Sequence, residues 1–265
     1  MHKKFNILIP SINNKLLRLG RNADGGYVVD QELLGRSNYL LSFGLGDDWS
    51  FELDFLKHNK DSIIHIYDHT VNIYQFLKPF LKNFRRFITF RSKFTDFYNS
   101  YLKLKEYVKL LNLKQVFFYK KKVTSVINSK SQININKIFS RVKSNSKIIV
   151  KCDIEGDEYK IINEIIKYSN QIEMLIIEFH DLNKKEKKFL DIINKLKSNF
   201  LIIHIHGNNH CGQSSLGLPF VLEITFANKK NKDNFLKKNY SYPVKKLDFP
   251  NNPFKNDLKM VFKKN

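Results

Sequence analysis

Leu40-Leu41-Ser42-Phe43-Gly44-Leu45-Gly46-Asp47-Asp48-Trp49-Ser50-Phe51-Glu52 is the stretch on which the fold turns. An apolar run enters Gly-x-Gly and continues into a helical segment over 51–58. Glycines at such a junction let the backbone turn sharply and let a ligand approach where a Cβ would clash. A dinucleotide fingerprint needs a third glycine at position 49, which is Trp49, so a nicotinamide cofactor is disfavoured. On these residues alone, an ordinary strand–helix turn is an equal reading.

Similar apolar runs recur at Ile63–Tyr67, Val116–Tyr119, Lys147–Cys152, Met174–Phe179 and Leu201–Ile205, and with Tyr39–Phe43 they read as strands. Most are apolar on both faces, as parallel strands covered by helices must be. Val221–Ala227 alternates less cleanly and reads as an antiparallel edge strand. Helical spacing appears in Tyr101, Leu104, Val108 and Leu111, in Ile161, Ile162, Ile165 and Ile166, and in Phe189, Ile192, Ile193 and Leu196. Strand–helix alternation predicts an α/β fold with a mainly parallel sheet. The segment 242–265, with Pro243, Pro250 and Pro253, reads as an extended C-terminal strap, and 1–35 as an N-terminal extension of one domain.

The 265 residues hold 46 Lys and Arg against 25 Asp and Glu, a formal +21, with 42% hydrophobic residues. That apolar content excludes a disordered polycation. The charge alone invites nucleic acid or an anionic surface. The chain is also rich in Asn, Ile, Phe and Tyr, whose codons are A/T-rich like those of Lys, so nucleotide bias accounts for much of it. The runs Lys120–Lys122, Lys184-Lys185 with Lys187-Lys188, and Lys229-Lys230 are scattered and accompany no nucleic-acid motif; they read as solvated surface. Two cysteines, Cys152 and Cys211, make neither a disulfide framework nor a CxxC pair. No signal peptide or bilayer-length apolar run is evident, so a cytoplasmic location is expected, with peripheral membrane contact left open.

Asp68 follows the Ile63–Tyr67 strand, where an acid can grip a ribose diol or cap the next helix near Val71. Asp153 and Glu155 alternate at the end of another strand, before Gly156. Like charges so placed raise each other's pKa and suit a general base, substrate hydroxyl contacts or a divalent cation. Asp157 and Glu158 fit the positive end of the following helix. His204, His206, His210 and Cys211 lack a standard zinc spacing and are taken as structural, so no metal site is expected. Asp24-Gly25-Gly26-Tyr27 is strong turn chemistry, or a lid over a bound cofactor.

Taken together, Phe43–Glu52, Asp68, Lys151–Tyr159 and Ile176-Ile177-Glu178-Phe179-His180 resemble the FkbM-type S-adenosylmethionine-dependent methyltransferases. Leu19–Val28 and His204–Asn209 are similar to its methyltransferase-like branch, and the match runs from about residue 18 to 210 with a family-like tail at Leu247–Asn251. The resemblance implies a Rossmann-like methyltransferase fold and S-adenosyl-L-methionine as cofactor. It implies O-methylation of a carbohydrate or related small metabolite, with surface-glycan synthesis as the expected setting. Ser42, Gly44, Gly46, Asp47, Ser50 and Glu52 would line the methionine side and Asp68 the ribose, with Asp24, Gly25, Gly26 and Tyr27 closing over the cofactor. Asp153, Glu155 and His180 would be catalytic, Asp153 being the preferred base. Glu178, His206, Asn208 and Asn209 would face the substrate. Many relatives carry an acid where this chain has Ser42, so attraction for the cofactor's ammonium would fall to Asp47, Asp48 or Glu52. Two other readings compete: an RNA or DNA methyltransferase drawing on the +21, and a non-catalytic binding protein on the same fold.

Overall fold

The structure, a computed structural model, describes residues 1–263. An antiparallel hairpin of β1 (Leu16–Leu19) and β2 (Tyr27–Asp30) leads into α1 (Gln31–Arg36), whose first turn is capped by the Asp30 carboxylate accepting from Leu33 N–H. There follow β3 (Tyr39–Phe43), α2 (Ser50–His58), β4 (Ile63–Tyr67), α3 (Tyr74–Ile88), α4 (Phe94–Leu111), β5 (Val116–Tyr119) and α5 (Ile135–Phe139). Then come β6 (Ile148–Cys152), α6 (Glu158–Lys167), β7 (Ile172–Phe179), α7 (Leu182–Asn199), β8 (Phe200–Gly207) and β9 (Leu222–Asn228).

Seven of these strands pair in the order β8-β9-β7-β6-β3-β4-β5. Strands β3 to β7 are mutually parallel, and β9 is antiparallel to both of its neighbours. The sheet is thus Rossmann-like, open and mainly parallel, as the sequence predicts, but the antiparallel strand stands one place in from the edge, which β8 occupies. Every residue of β9 is buried, and a strand flanked on both sides and covered on both faces has no polar face to alternate.

Period-two alternation sorts the strand side chains between two cores. Tyr39, Leu41 and Phe43 of β3 with Ile148, Val150 and Cys152 of β6 meet α5, α6 and α7. Leu40 and Ile149 face the other way, toward α1, α2, the β1–β2 hairpin and the base of α3–α4. The end of the expected extension is therefore core: Val29 of β2 and Leu33 and Leu34 of α1 are fully buried. The C-terminal segment includes a short strand pair, Ser241–Tyr242 with Met260–Val261, and its last two residues lie outside those described. Among the described residues, no helix is long and apolar enough to cross a membrane.

Candidate active site

The chain leaves β3 for β4 and β5 on one side and β6 for β7 on the other, so the carboxyl ends of β3 and β6 border the switch point, where open α/β sheets bind ligands. Phe43 pairs with Cys152 there, and the ladder continues one residue further as Asp153 N–H donates to Phe43 O at 2.9 Å. Gly44 sits at φ +82°, and a Cβ on it would stand 1.7 Å from the Asp153 carbonyl oxygen. No other residue fits this position. Gly46, at φ +60°, faces open space.

Asp68 shapes this loop. One of its oxygens accepts from Leu45 N–H (2.8 Å) and Gly46 N–H (3.1 Å), the other from Thr70 N–H and Oγ1 (both 2.7 Å) and Val71 N–H (3.2 Å). Burial works against its ionisation, but the Thr70, Leu45 and Gly46 donors outweigh it and hold the carboxyl below its ordinary range. Of the two roles foreseen for Asp68, the structure shows the cap at Val71, and the rest of its capacity is spent on the glycine loop rather than left free for a diol.

Ser42 and Lys151 are register partners on the face turned toward α2, and Glu52 comes down from α2 to meet both. Ser42 Oγ donates to Glu52 Oε1 at 2.6 Å, and Lys151 Nζ lies 3.2 Å from the same oxygen and 3.3 Å from Gly44 O. All three are buried. Burial disfavours the Lys151 ammonium, yet Glu52 and then Asp153 restore it and leave its pKa above the usual value. Ser42 and Glu52 therefore support the glycine loop from beneath and do not line a cleft. Asp47 points outward to an ion pair with Lys103, also away from β3. Ser50 Oγ, which accepts from Arg21 N–H at 2.9 Å, ties the Gly20–Gly26 turn to the start of α2, and a Cβ on Gly25 would meet Asp48 Oδ2 at 2.4 Å.

Beyond the switch point a row of acids crosses three strands. Glu178 of β7 pairs with Glu223 of β9, which pairs with His206 of β8. Tyr27 reaches over this row from β2: its hydroxyl lies 3.2 Å from Asp153 Oδ2 and 3.3 Å from Glu178 Oε2. Burial first, then Asp153 and Glu223, push the Glu178 carboxyl well above its ordinary pKa, and Asn208 Nδ2 donates to it at 2.9 Å. Asp153 is also raised, by burial, with Lys151 and His180 pulling it partway back. Its side chain keeps 29% exposure, so it remains reachable.

His180 Nε2 lies 3.8 Å from Asp153 Oδ1 and 3.5 Å from Glu155 Oε2, and its Nδ1 is 3.6 Å from Glu158 Oε1. Burial opposes its protonation, but Glu158, Asp153 and Glu155 win and raise its pKa. The surrounding carboxylates draw His180 toward its protonated form, which favours Asp153 over His180 as the base. Glu155 and Asp181, the residues around this group, both adopt left-handed backbone (φ +55° and +58°), a strain that side chains other than glycine seldom carry.

The structure brings together Asp153, Glu155, His180, Glu178, Tyr27, Asp24 and Asn208 from the expected set. Asp153, Glu155 and His180 form one group, and Asp24, Glu178 and Glu223 another, with ligand atoms within 4.8 Å of one another in each, a spacing a divalent cation can use. Two expected substrate residues serve elsewhere. Asn209 donates to the carbonyls of Asn252, Lys255 and Asn256 and accepts from Asn252 N–H, so it fastens the C-terminal strap. His206 is buried between Glu223 (3.2 Å) and Asp257 (3.1 Å), and these acids overcome burial and push its pKa up to about 10.

Four residues without an assigned role complete the arrangement. Glu158 accepts from Gly156 N–H and His180 N–H, both at 2.8 Å, clamping the two loops that carry Asp153 and His180. Glu223 and Asn251 enclose Asp24, Asn251 Nδ2 donating to Asp24 Oδ1 at 2.9 Å and Glu223 Oε1 at 2.7 Å. Lys151 stands under Gly44. A charged residue amid an apolar strand is the signal that marks both Lys151 and Glu223; nothing local marks Asn251. A cleft of about 190 Å³ opens over the switch point, lined by Gly44, Asp68, Thr70, Lys122, Asp153 and Glu155 among others.

The chain matches no protein-family model and no curated protein. Among solved structures it is similar to spermidine synthase from Thermotoga maritima (12% identity, 83% of this chain and 64% of that one, TM-score 0.42). It is also similar to precorrin-6y C5,15-methyltransferase from Geobacter metallireducens (7%, 74% and 85%, TM-score 0.36) and to the fibrillarin pre-rRNA processing protein of Methanococcus jannaschii (8%, 74% and 68%, TM-score 0.37). Similarity at this level decides nothing about chemistry, which rests with the residues of the site.

Proposed function

We propose that this chain is an S-adenosyl-L-methionine-dependent methyltransferase that acts on an oxygen of a carbohydrate or related small metabolite, in the service of surface-glycan synthesis. The observation that carries the reading is the meeting of Gly44 and Asp153: a backbone cradle that admits no Cβ, against a carboxylate whose proton affinity is raised. The cleft fits the cofactor in charge as well. Its acids Asp68, Asp153 and Glu155 favour a cation, while Lys122 on the rim is neutralised by Asp157 at 2.6 Å. The strings around Gly44 and Asp153 support the FkbM-type assignment.

When bound, the cofactor supplies an already activated methyl group. What remains for the protein is alignment and one proton transfer. Gly44 and Gly46 shape the loop, and Asp68 holds it in place by accepting from the Leu45 and Gly46 N–H groups. Asp153 takes the proton of the acceptor hydroxyl. Its raised pKa makes it a better base than a solvated carboxylate, and Tyr27 fixes the carboxylate by donating to it. Lys151 and His180 pull the raised pKa of Asp153 partway back, which favours its carboxylate form.

Titration calorimetry with S-adenosylmethionine and its demethylated product tests the shared premise. Binding by the wild type and its loss in Gly44→Ala are expected. Absence of binding by the wild type at millimolar cofactor would overturn the reading and leave a non-catalytic fold. Methyl incorporation from labelled cofactor into glycan and sugar-nucleotide acceptors, against none into mixed RNA and DNA, separates the acceptor classes.

A further inference from the structure

The α3–α4 hairpin is unlike the rest of the surface. Its base is anchored: Phe76 and Tyr107 are buried against Trp49, with ring centroids 4.6–5.5 Å apart. Beyond that base the hairpin packs mainly on itself, through Phe80, Phe84, Phe87, Phe94 and Phe97. Ten of the seventeen exposed large apolar side chains among the described residues lie between Ile73 and Val108. On α3, Leu81, Phe84 and Ile88 form an exposed stripe beside the one that faces α4. At the tip, Ile88 is 56%, Phe90 98% and Phe94 55% exposed.

The same hairpin carries nine Lys and Arg against two acids in residues 74–111, a net +7. Lys78, Lys82, Arg85, Arg86, Arg91 and Lys93 are exposed around the apolar tip and none has an ion-pair partner among the described residues. Apolar side chains left in water beside unpaired cations mark a surface built for another phase.

We infer that the α3–α4 hairpin docks the protein on an anionic phospholipid surface, with Phe84, Ile88, Phe90 and Phe94 entering the headgroup–acyl boundary and the surrounding cations meeting lipid phosphates. An amphipathic helix with Lys and Arg on one face and Phe and Leu on the other lies in such an interface. Each cation near the surface adds attraction. A second copy of the chain would bring a like +7 against this one. Single-stranded nucleic acid needs open ring faces, whereas Phe87 is stacked on Phe97 and Phe94 on Tyr98, and the aliphatic Leu81 and Ile88 have no part in base stacking. The hairpin base also borders the glycine loop, since Gly46, Asp47 and Thr70 share a cavity of about 460 Å³ with Phe76, Pro79 and Lys103. Docking through the tip therefore holds the cleft roughly 18 Å from the surface, the rise of α3 from Phe76 to Ile88.

The test is co-sedimentation of the full chain with phosphatidylcholine vesicles, with and without phosphatidylglycerol. Binding only to the anionic vesicles is expected, weakened but not abolished by salt. The triple substitution Ile88→Ser, Phe90→Ser, Phe94→Ser lowers partitioning about tenfold or more. Arg85→Gln with Arg86→Gln lowers it about fivefold per charge. The arginine variant keeps the wild-type melting temperature. Because Phe94 also contacts Phe87, Phe97 and Tyr98, the single substitution Phe90→Ser, at an almost fully exposed side chain, is run beside the triple variant and lowers partitioning at an unchanged melting temperature. No partitioning onto anionic vesicles by the wild type overturns the inference, and so does a triple variant that binds like the wild type. Salt-steep binding to mixed RNA that the triple variant loses, with vesicles ignored, overturns it in favour of nucleic acid.

Discussion

At the carboxyl end of the sheet, charged groups are buried and each is held by several others: Glu52 by Ser42 and Lys151, Glu178 by Tyr27 and Asn208, His206 by Glu223 and Asp257. Toward the tip of the α3–α4 hairpin, Lys78, Lys82, Arg85, Arg86, Arg91 and Lys93 are exposed and none has an ion-pair partner among the described residues. The chain's +21 hides this division between charges buried at the site and cations left in water on the hairpin. In the first region a charge is retained by its neighbours and substitution propagates. In the second the exposed tip side chains, Phe90 above all, touch little else, and the fold should not register their loss.

The sharpest way to break that contrast is Asp153→Asn. Turnover should fall by about 10²–10⁴-fold, the usual worth of a positioned base, while cofactor affinity measured by calorimetry stays near wild type. Wild-type turnover would move the role to Glu155. The next largest effect belongs to Lys151→Met, which leaves Glu52 charged, buried and without its cation. A loss of about 3–5 kcal/mol in denaturant unfolding is expected, partly recovered by adding Glu52→Gln. A loss below about 1 kcal/mol would show that the pair is not a support.

Acidity probes the same region. Asp153 must be ionised to act, and its pKa lies above the ordinary carboxylate range, so kcat/KM should rise with pH through a limb displaced upward from that range. His206 runs the other way. Its folded pKa of about 10 exceeds the unfolded value of 6.5, so its contribution to stability is complete below 6.5 and disappears as pH rises toward 10. Melting temperature should decline across that window, and His206→Gln should flatten the decline. The smallest expected effect is on the hairpin: Phe90→Ser should change unfolding free energy by no more than about 0.5 kcal/mol, against the 3–5 kcal/mol foreseen at Lys151.

Much of the scaffold is legible in the chain. The strands at 39–43, 63–67 and 116–119 occupy the residues their apolar runs predict; the first two are buried almost throughout and advertise themselves by composition alone, while the edge strand 116–119 keeps its aromatic content despite the exposed Phe117. The place of β9 is not legible, since insertion between β7 and β8 is a choice of pairing and not of local pattern. At the site, Gly44 and Asp153 stand out because each needs a residue type that its surroundings forbid elsewhere. Ser42, Glu52 and Asn209 mislead for a common reason: a polar residue beside a glycine loop or strand end looks alike whether it turns to a ligand or to the protein. Only the face assigned by strand alternation, or the arrival of a distant strap, distinguishes the two. Phe90 and its neighbours are equally ambiguous, as helical aromatics normally signal a core.

Asn251 joins Asp24 and Glu223, residues separated from it by 227 and 28 positions. Asp248 lies 3.1 Å from His204, and Asp257 a similar distance from His206. All three contributions come from the segment translated after the sheet's final strand. The same segment sends Tyr242, Met260 and Phe262 into the core packed by α5, α6 and α7, so the acidic row and that core are closed by one stretch of chain. Both wait for the last few dozen residues and for contacts of the longest sequence separation, the slowest kind to form. The end of the chain is in this sense a clasp: a product truncated before residue 242 would keep its sheet strands and leave core and acidic row open together.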